Sequence, residues 1–345
     1  MLYNKQTSNG VRVKTFLIFF IFLIGVIIFY FGTYSPRTPG SQEEVVFSIR
    51  KGEGTKDISH NLEREGLIRV GPLFRVYALL RGVSGKLQAG DYLLSPSMTI
   101  AEITNKIVSG DVIKEKITII EGWNLEEITQ YLEEKGFLEE EFLELVKKDF
   151  SKEFSFLEDK PKTIDLEGYL FPDTYYVSKQ RVVNDERLED LVIMMLDNFD
   201  KKLTQDLREE IIDNQGKTIF EIITMASLIE KEVQTLEDKK IVSGILWNRL
   251  DNNIPLQVDA TITYLTGKKN SQISKEETQI DSLYNTYKYR GLPLGPISNP
   301  GLESIIASIY PESSDYWYYL STPDGKIIFS KTLEEHNLAK AKYLK

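Results

Sequence analysis

The feature that most constrains this chain is a run of twenty uncharged residues over positions 15–34, TFLIFFIFLIGVIIFYFGTY. About twenty apolar residues in a helix are enough to cross a bilayer core roughly 30 Å thick. Lys5, Arg12 and Lys14 precede the run, whereas only Arg37 follows it closely. By the positive-inside rule, this asymmetry predicts a single-pass anchor with a cytoplasmic N-terminus and an extracytoplasmic remainder.

The end of the apolar run argues against a cleaved signal peptide, which is the competing interpretation. A signal peptide has a shorter apolar core that is followed by small residues. Here the run ends among the large aromatic residues Phe29, Tyr30, Phe31 and Tyr34. The first three segments are therefore predicted to be a cytoplasmic tail over 1–14, a transmembrane helix over 15–34 and a linker over 35–44.

Composition narrows the compartment and the partners of the exterior part. The 345 residues include no cysteine, two histidines, 42 Lys and Arg and 52 Asp and Glu, so the formal net charge is −10. Positions 1–42 hold four basic and no acidic residues, which leaves the exterior part at −14. An acidic protein is a poor partner for nucleic acid, because phosphate binding needs a basic face. An exported chain without disulfides fits a bacterial envelope, and we predict a bacterial cell-membrane protein.

An internal repeat organises the first part of the exterior region. VVFSIRKGEGTKDISHNLEREGLI over 45–68 aligns with EKITIIEGWNLEEITQYLEEKGFL over 115–138. Each copy reads as an apolar strand, a glycine turn and an amphipathic helix that ends at a glycine. The first copy continues with a helical pattern at 72–80 and a strand at 92–94, so the predicted order is β-α-α-β. This order resembles a LysM-like module, a family that binds the amino-sugar glycans of peptidoglycan and chitin.

The second part of the exterior region has a different pattern of apolar and polar residues. Long amphipathic patterns predict helices over 188–199, 218–233 and 238–250, and short strands are predicted over 317–320 and 327–329. The predicted fold class is therefore α+β, with an N-terminal transmembrane helix. Its predicted domains are a LysM-like domain with the repeat over 45–150 and a mixed α+β catalytic domain over 151–345.

If the chain is an enzyme, its residue composition indicates that carboxyl groups perform the catalysis. Cysteine is absent, and His60 and His336 lie in different predicted domains, so nucleophilic triads and common zinc sites lack parts. Glycoside cleavage is a reaction that carboxylic acids perform. Glu167 lies beside a glycine among aromatic residues, while Glu230 and Glu232 border the apolar stripe of one helix on opposite edges. The residue pattern alone leaves all three glutamates open.

Five motifs occur in a recognisable order: LEGYLFPDTYYV, ASLIEKEV, ILWNRL, PLQVDATITY and YNTYKYRGLPLGPISNPGLESIIASIYP. With them the chain resembles the MltG or YceG-like endolytic murein transglycosylase family over nearly its whole length. The resemblance implies cleavage of nascent peptidoglycan strands between MurNAc and GlcNAc without water, which leaves a 1,6-anhydro-MurNAc end and terminates strand elongation. It also implies that the second glutamate of IEKE is catalytic, which is Glu232 here. No cofactor and no metal are expected.

Further residues of these motifs are predicted to contact the substrate. Gln257, Asp259 and Thr261 alternate along a segment that we predict to be extended, which would place them on one face. The YNTY stretch offers aromatic and amide groups suited to N-acetyl recognition. The predicted substrate-binding residues are Glu167, Tyr169, Glu230, Gln257, Asp259, Tyr284, Asn285, Thr286 and Tyr287.

Predicted partners are peptidoglycan strands, the cytoplasmic membrane and peptidoglycan synthases of the elongation or division machinery. The sequence leaves two alternative functions open. One is a non-catalytic peptidoglycan-binding scaffold at the membrane, which the presence of Glu232 in its motif disfavours. The other is a glycan hydrolase, which would leave reducing sugar ends instead of anhydro ends.

Overall fold

The computed structural model describes residues 6–179, 186–268 and 273–344. Packing divides the chain into two compact units, namely Met1–Glu115 with Tyr176–Val183 and Lys116–Tyr175 with Asn184–Lys345, where these ranges are described. The second repeat copy thus packs in the second unit, although the sequence grouped it with the first domain. Both units are mixed α and β. Lys5, part of the predicted basic flank, lies outside the described residues.

The first unit is built around the predicted β-α-α-β order. Its strands β1 and β2 pair antiparallel, with Val45 opposite Leu94 and Ile49 opposite Gly90. Its core is an apolar cluster that includes Ile58, Leu62, Phe74, Tyr92 and Ile103. The elements are α1 (Gln6–Tyr34), β1 (Val45–Ile49), α2 (Thr55–Arg64), α3 (Gly71–Leu80), β2 (Gly90–Leu94) and α4 (Ile100–Ser109).

Helix α1 contains the predicted membrane span. Within the described ranges one helix segment, Val13–Tyr34, is long and apolar enough to cross a bilayer. Its side chains are largely exposed, as expected for a helix whose apolar surface has no protein partner. The predicted span over 15–34 lies inside this segment.

Strands β3 (Lys114–Thr118) and β4 (Thr174–Ser178) pair with each other. The remaining strands form an antiparallel hairpin in which Tyr318 lies opposite Ser330. The further elements are α5 (Leu125–Glu134), α6 (Glu139–Leu145), α7 (Glu186–Lys202), α8 (Gln205–Glu209), α9 (Ile219–Glu232), α10 (Leu236–Asp251), α11 (Asp259–Thr266), α12 (Leu302–Ile309), β5 (Tyr318–Ser321), β6 (Ile327–Ser330) and α13 (Leu333–Tyr343), with short turns of 3-10 helix at Ser155–Leu157 and Glu277–Gln279 and of π-helix at Glu210–Asn214.

Helix α9 lies at the centre of the second unit. It packs against α10, α11 and α12, and every residue from Ile222 to Ile229 is buried. A separate aromatic cluster fills the space beside α7, where the ring of Phe199 lies 4.6 Å from Phe156 and 5.5 Å from Tyr169, centroid to centroid. Burial from Ile222 to Ile229 and packing against three helices place α9 firmly in the core of the second unit.

Candidate active site

Glu232 is the last residue of α9, and local sequence determines both ends of this helix. At the start, Thr218 Oγ1 accepts from the Glu221 N–H at 3.1 Å, and the Glu221 carboxylate accepts from the Thr218 N–H at 2.8 Å. This capping box satisfies two N–H groups that the helix leaves free. At the other end, Val233 is extended, with φ −145° and ψ 155°. The chain therefore leaves the helix directly after Glu232.

Glu232 is half-buried as a residue, and its carboxyl group sits enclosed between two hydrogen-bond donors. The Tyr319 hydroxyl from β5 and the Ala260 N–H from the first turn of α11 both bond to it. Burial, followed by the nearby charge of Asp259, raises the pKa of Glu232 to about 7, although the two hydrogen bonds partly oppose the shift. A carboxyl group with this pKa can both donate and accept a proton near neutral pH.

A polar network lies behind this carboxyl group. The Tyr287 hydroxyl hydrogen-bonds to Asp259 Oδ1, and the buried Arg249 donates from Nη1 to the Leu256 carbonyl oxygen at 2.7 Å. The Arg249 guanidinium also lies over the ring of Tyr318, 5.2 Å from its centroid. This network fixes Asp259 close enough to Glu232 to act on its pKa.

The predicted extended segment at 257–261 is wrong. Gln257 adopts a left-handed conformation with φ 54°, and Asp259 opens helix α11. The cause is Thr286, whose carbonyl oxygen accepts from the Gln257 N–H at 3.1 Å and whose hydroxyl accepts from the Val258 N–H at 3.0 Å. Gln257 and Asp259 stay exposed, but Thr261 turns inward and is buried.

Glu167 occupies a different environment, in which both carboxylate oxygens are already bound. It is 2% exposed, accepts from the Leu125 N–H at 2.9 Å and accepts from Asn299 Nδ2 at 3.1 Å. Burial raises the pKa of Glu167 to about 8 in spite of these donors. The following Gly168 has φ 89°, and a Cβ there would lie 2.6 Å from Pro296, so only glycine fits this close approach.

Glu230 and Tyr169 are also tied to the protein itself. The Glu230 carboxylate lies 3.4 Å from Lys239 Nζ and accepts from the Gly301 N–H at 3.0 Å and the Ser304 hydroxyl at 2.6 Å. It therefore caps the start of α12 and pairs with a buried lysine. Tyr169 is fully buried in the aromatic cluster. The sugar contacts predicted for these residues stay a prediction, and their surroundings favour a positioning role.

The YNTY stretch forms a tight loop beside the site. Asn285 is fully buried and donates from Nδ2 to the carbonyl oxygens of Thr278 and Ile280, at 3.1 and 2.8 Å. Its Oδ1 accepts from the Tyr287 N–H at 2.9 Å. Tyr284 is half-buried and its ring lies 5.1 Å from that of Tyr264, centroid to centroid. In this arrangement Asn285 and Thr286 shape the loop, while the two tyrosines keep part of their surface accessible.

A cavity of about 320 Å³ lies near the end of α9. Glu232 does not line it, but Lys231, which precedes Glu232, and Ala260, whose N–H bonds to Glu232, do. Its walls combine polar side chains with a larger apolar surface, and they come from the start of α5 and from α11. The lining residues are Asn124, Glu126, Glu127, Gln130, Lys231, Ala260, Thr263, Tyr264, Gly267, Lys268 and Ile297. The cavity offers amide, hydroxyl and aromatic groups of the kind that bind sugars.

Sequence reasoning missed Tyr319, Ala260 and Arg249 as parts of the site. The WYYL pattern predicts a strand, but alternation alone does not say which tyrosine meets Glu232. Ala260 contributes only its backbone N–H, which has no side-chain signal. Arg249 occurs in ILWNRL, where a solvent-exposed arginine is the ordinary expectation.

Comparison with known proteins gives a consistent result. The sequence model described as the YceG-like family matches residues 47–342. The protein named endolytic murein transglycosylase in Bacillus subtilis (strain 168) is 33% identical over 90% of this chain and 87% of the relative. The protein of the same name in Streptococcus pneumoniae (strain ATCC BAA-255 / R6) is 31% identical over 94% of this chain and 64% of the relative.

A solved structure agrees with these relatives. The crystal structure of a putative YceG-like protein from Listeria monocytogenes is 32% identical in sequence, with a TM-score of 0.57. The match covers 86% of this chain and 99% of the Listeria chain. The family model alone matches well over half of the sequence. On these grounds the chain belongs to the YceG-like family.

Proposed function

We propose that this chain is an endolytic murein transglycosylase that cuts peptidoglycan glycan strands between MurNAc and GlcNAc and leaves a 1,6-anhydro-MurNAc end. The observation that carries the proposal is the half-buried Glu232, whose neighbours Lys231 and Ala260 line a cavity and whose pKa is raised to about 7. The names of the curated relatives support the same reaction. Such a reaction ends strand growth, because an anhydro end carries no free reducing sugar.

Glu232 performs both proton transfers in the proposed mechanism. As the neutral acid it gives its proton to the glycosidic oxygen, and the bond between that oxygen and C1 of MurNAc breaks. The resulting carboxylate then takes the proton of the C6 hydroxyl of the same sugar, whose oxygen bonds to C1. Because the nucleophile belongs to the substrate, its effective concentration is very high. A second carboxylate to activate water is therefore unnecessary.

Two neighbours of Glu232 adjust this cycle in opposite senses. The charge of Asp259 raises the pKa of Glu232, whereas the hydrogen bond from Tyr319 lowers it. The neutral form is thus favoured before the reaction, and the carboxylate formed afterwards keeps two donors, Tyr319 and the Ala260 N–H. A site with both features supports an acid that must become a base within one turnover.

Substrate contacts are proposed for the accessible side chains around the cavity. Gln257 and Asp259 are exposed, and Tyr284 and Tyr287 are half-buried, so each can reach a bound sugar. Glu167, Tyr169, Glu230, Asn285 and Thr286 are proposed to act by holding the walls in place. Burial supports this division, as do the hydrogen bonds of Glu167, Glu230, Asn285 and Thr286 to the protein and the ring packing of Tyr169.

The proposal includes a single-pass anchor with the N-terminus in the cytoplasm and a LysM-like glycan-binding role for the first unit. The apolar segment Val13–Tyr34 and the β-α-α-β order support these two points. A polar cavity of about 440 Å³ in the first unit is a candidate glycan site, lined by Val46, Phe47, Ser48, Arg50, Glu53, Asn61, Arg64 and Glu65. Synthases that produce the strands are the proposed protein partners.

The experiment compares the full chain in detergent micelles with two variants, using uncrosslinked glycan strands as substrate. Glu232→Gln removes the acid, and Glu237→Gln is the matched control, because Glu237 is an exposed glutamate in the first turn of α10. Strand length is followed by chromatography, and new ends are weighed by mass spectrometry. We expect anhydro ends from the wild type and the control and none from Glu232→Gln.

Other results would replace the proposal with an identifiable alternative. Reducing ends, which carry the mass of one added water, would make the protein a hydrolase. Binding of strands without any shortening by the wild type would make it a scaffold. Normal cutting by Glu232→Gln would assign the chemistry to another residue.

A further inference from the structure

Helix α3 carries an apolar face that the protein does not cover. Leu79 and Leu80 are each 70% exposed, and Val76 is 44% exposed. Residues three or four positions apart lie on the same side of a helix, so these three form one surface, which we call the α3 apolar face. The opposite side of α3 is buried through Phe74 and Tyr77. A contiguous exposed apolar face marks an interaction surface.

The same helix packs directly against the end of the membrane span. Leu73 lies so close to Gly32 that a Cβ at Gly32 would be 2.4 Å from Leu73 Cδ1. The rings of Tyr34 and Tyr77 meet edge to face, with their centroids 6.3 Å apart. Thr33 is fully buried as a result. Helix α3 is thereby held beside the last turn of α1.

The segment after α1, predicted to be a linker, is attached to the first unit. Arg69 Nη2 donates to the carbonyl oxygens of Pro36 and Arg37, at 3.1 and 3.0 Å. The Thr38 N–H donates to the carbonyl oxygen of Pro96 at 2.9 Å. Because these bonds fix the chain directly after the span, α1 and the first unit have little freedom to separate.

The length of the span then sets the level of α3. The 22 residues of Val13–Tyr34 extend about 33 Å as a helix, which is close to the thickness of a bilayer core. Gly32 and Tyr34 thus come to lie near the outer interface, where tyrosine side chains are favoured. The exposed Arg75 and Arg81 flank the α3 apolar face and can reach lipid phosphates.

We infer that α3 is a second membrane attachment, which lies at the outer interface and inserts Val76, Leu79 and Leu80 among the lipid chains. An amphipathic helix in this position buries its apolar face about 5–10 Å into the boundary between headgroups and acyl chains. The inference rests on the anchor in the proposed function. Together with α1, it fixes the tilt of the first unit on the bilayer, which a single span leaves free to vary.

Because the chain contains no cysteine, a single introduced cysteine can be labelled specifically. Single variants Leu79→Cys, Leu80→Cys, Ile24→Cys and His60→Cys of the full chain are labelled with an environment-sensitive fluorophore. Each is placed in nanodiscs of phosphatidylcholine and phosphatidylglycerol, with or without nitroxide-labelled lipid. Ile24 reports the span, and His60, which is exposed on the polar side of α2, reports the aqueous surface.

We expect a blue shift and a loss of intensity with nitroxide lipid at Leu79, Leu80 and Ile24, and neither at His60. Quenching at Ile24 with Leu79 and Leu80 as exposed as His60 overturns the inference but leaves the anchor intact. That outcome would assign the α3 apolar face to a protein partner. Absence of quenching at Ile24 overturns the anchor and the inference together. Quenching at His60 as strong as at Leu79 and Leu80 also overturns the inference, because it would mean that α3 is no closer to the lipid than the polar side of α2.

Discussion

The surroundings of Glu232 and of Glu167 form two regions of the second unit that treat a buried carboxyl group differently. In both regions burial raises the pKa of the glutamate, to about 7 for Glu232 and about 8 for Glu167. Glu167 is 2% exposed and connects the start of α5 to Asn299. Glu232 is half-buried and ends α9, and its neighbours Lys231 and Ala260 line a cavity.

Because both glutamates have a raised pKa, a raised pKa does not by itself identify the acid of a reaction. A perturbed carboxyl group becomes a candidate catalyst when a substrate can reach it. At Glu167 the lone pairs are used to join three loops, so its removal changes the fold. Glu232 is half-buried beside residues that line a cavity, so we expect its removal to change the chemistry.

The largest expected effect separates the two regions directly. Glu232→Gln is expected to lower the rate of glycan cutting by at least about 100- to 10,000-fold, because one group performs both proton transfers. Its thermal unfolding should stay close to that of the wild type. Turnover by strand-length analysis and unfolding by calorimetry measure the two quantities. A Glu167→Gln variant that is folded and equally inactive would break the comparison.

Glu167→Gln is expected to act on stability. The glutamine places its own N–H against an N–H group whose hydrogen bond the carboxylate accepted. Two donors that face each other cost about 1–3 kcal/mol in free energy of unfolding. The raised pKa of Glu167 means that its favourable contribution is complete below about pH 4.5 and is lost as the pH rises towards about 8. The variant should therefore show a shallower fall of stability over this range. Calorimetry at several pH values tests it, with the exposed Glu153→Gln as control.

Two variants around Glu232 should move the pH dependence in opposite directions. Asp259→Asn removes a charge that raises the pKa of Glu232, so the alkaline limb of kcat/KM should move to lower pH. Tyr319→Phe removes a hydrogen bond that lowers this pKa, so the limb should move to higher pH. Rates above pH 7 would change by up to about tenfold, the effect of one pKa unit. Identical shifts in both variants would contradict the proposed network.

The smallest effect concerns the helix start that Glu167 supports. Asn124 caps α5 by accepting from the Glu127 N–H at 2.8 Å, and Asn124→Ala should cost about 1 kcal/mol of stability. The pH limb of the rate should stay where it is in the wild type, because Asn124, although it lines the cavity, is uncharged and does not bond to Glu232. Calorimetry and a pH–rate profile of the same preparation measure both. A moved limb would mean that the two regions are coupled.

Much of the local structure could be predicted from the sequence. At Thr99 and at Thr218, a glutamate three positions later completes a capping box, a pattern that is readable in the sequence. The prediction for 257–261 was wrong because Thr286, which is distant in sequence, binds the backbone there and bends it into α11. The periodicity of apolar residues indicates which face of a segment packs on the core. It carries no information about a hydrogen bond to one residue that is distant in sequence.

The sequence by itself determined the apolar span, the repeated strand–helix unit, the main helices and the family motifs that single out Glu232. The tertiary structure decided which glutamates are enclosed, and it brought Tyr319 and Asp259 to the end of α9. The physical reason is one of range. Helix and strand patterns depend on neighbours a few residues away, whereas the pKa of a carboxyl group depends on burial and on charges that meet it only after folding.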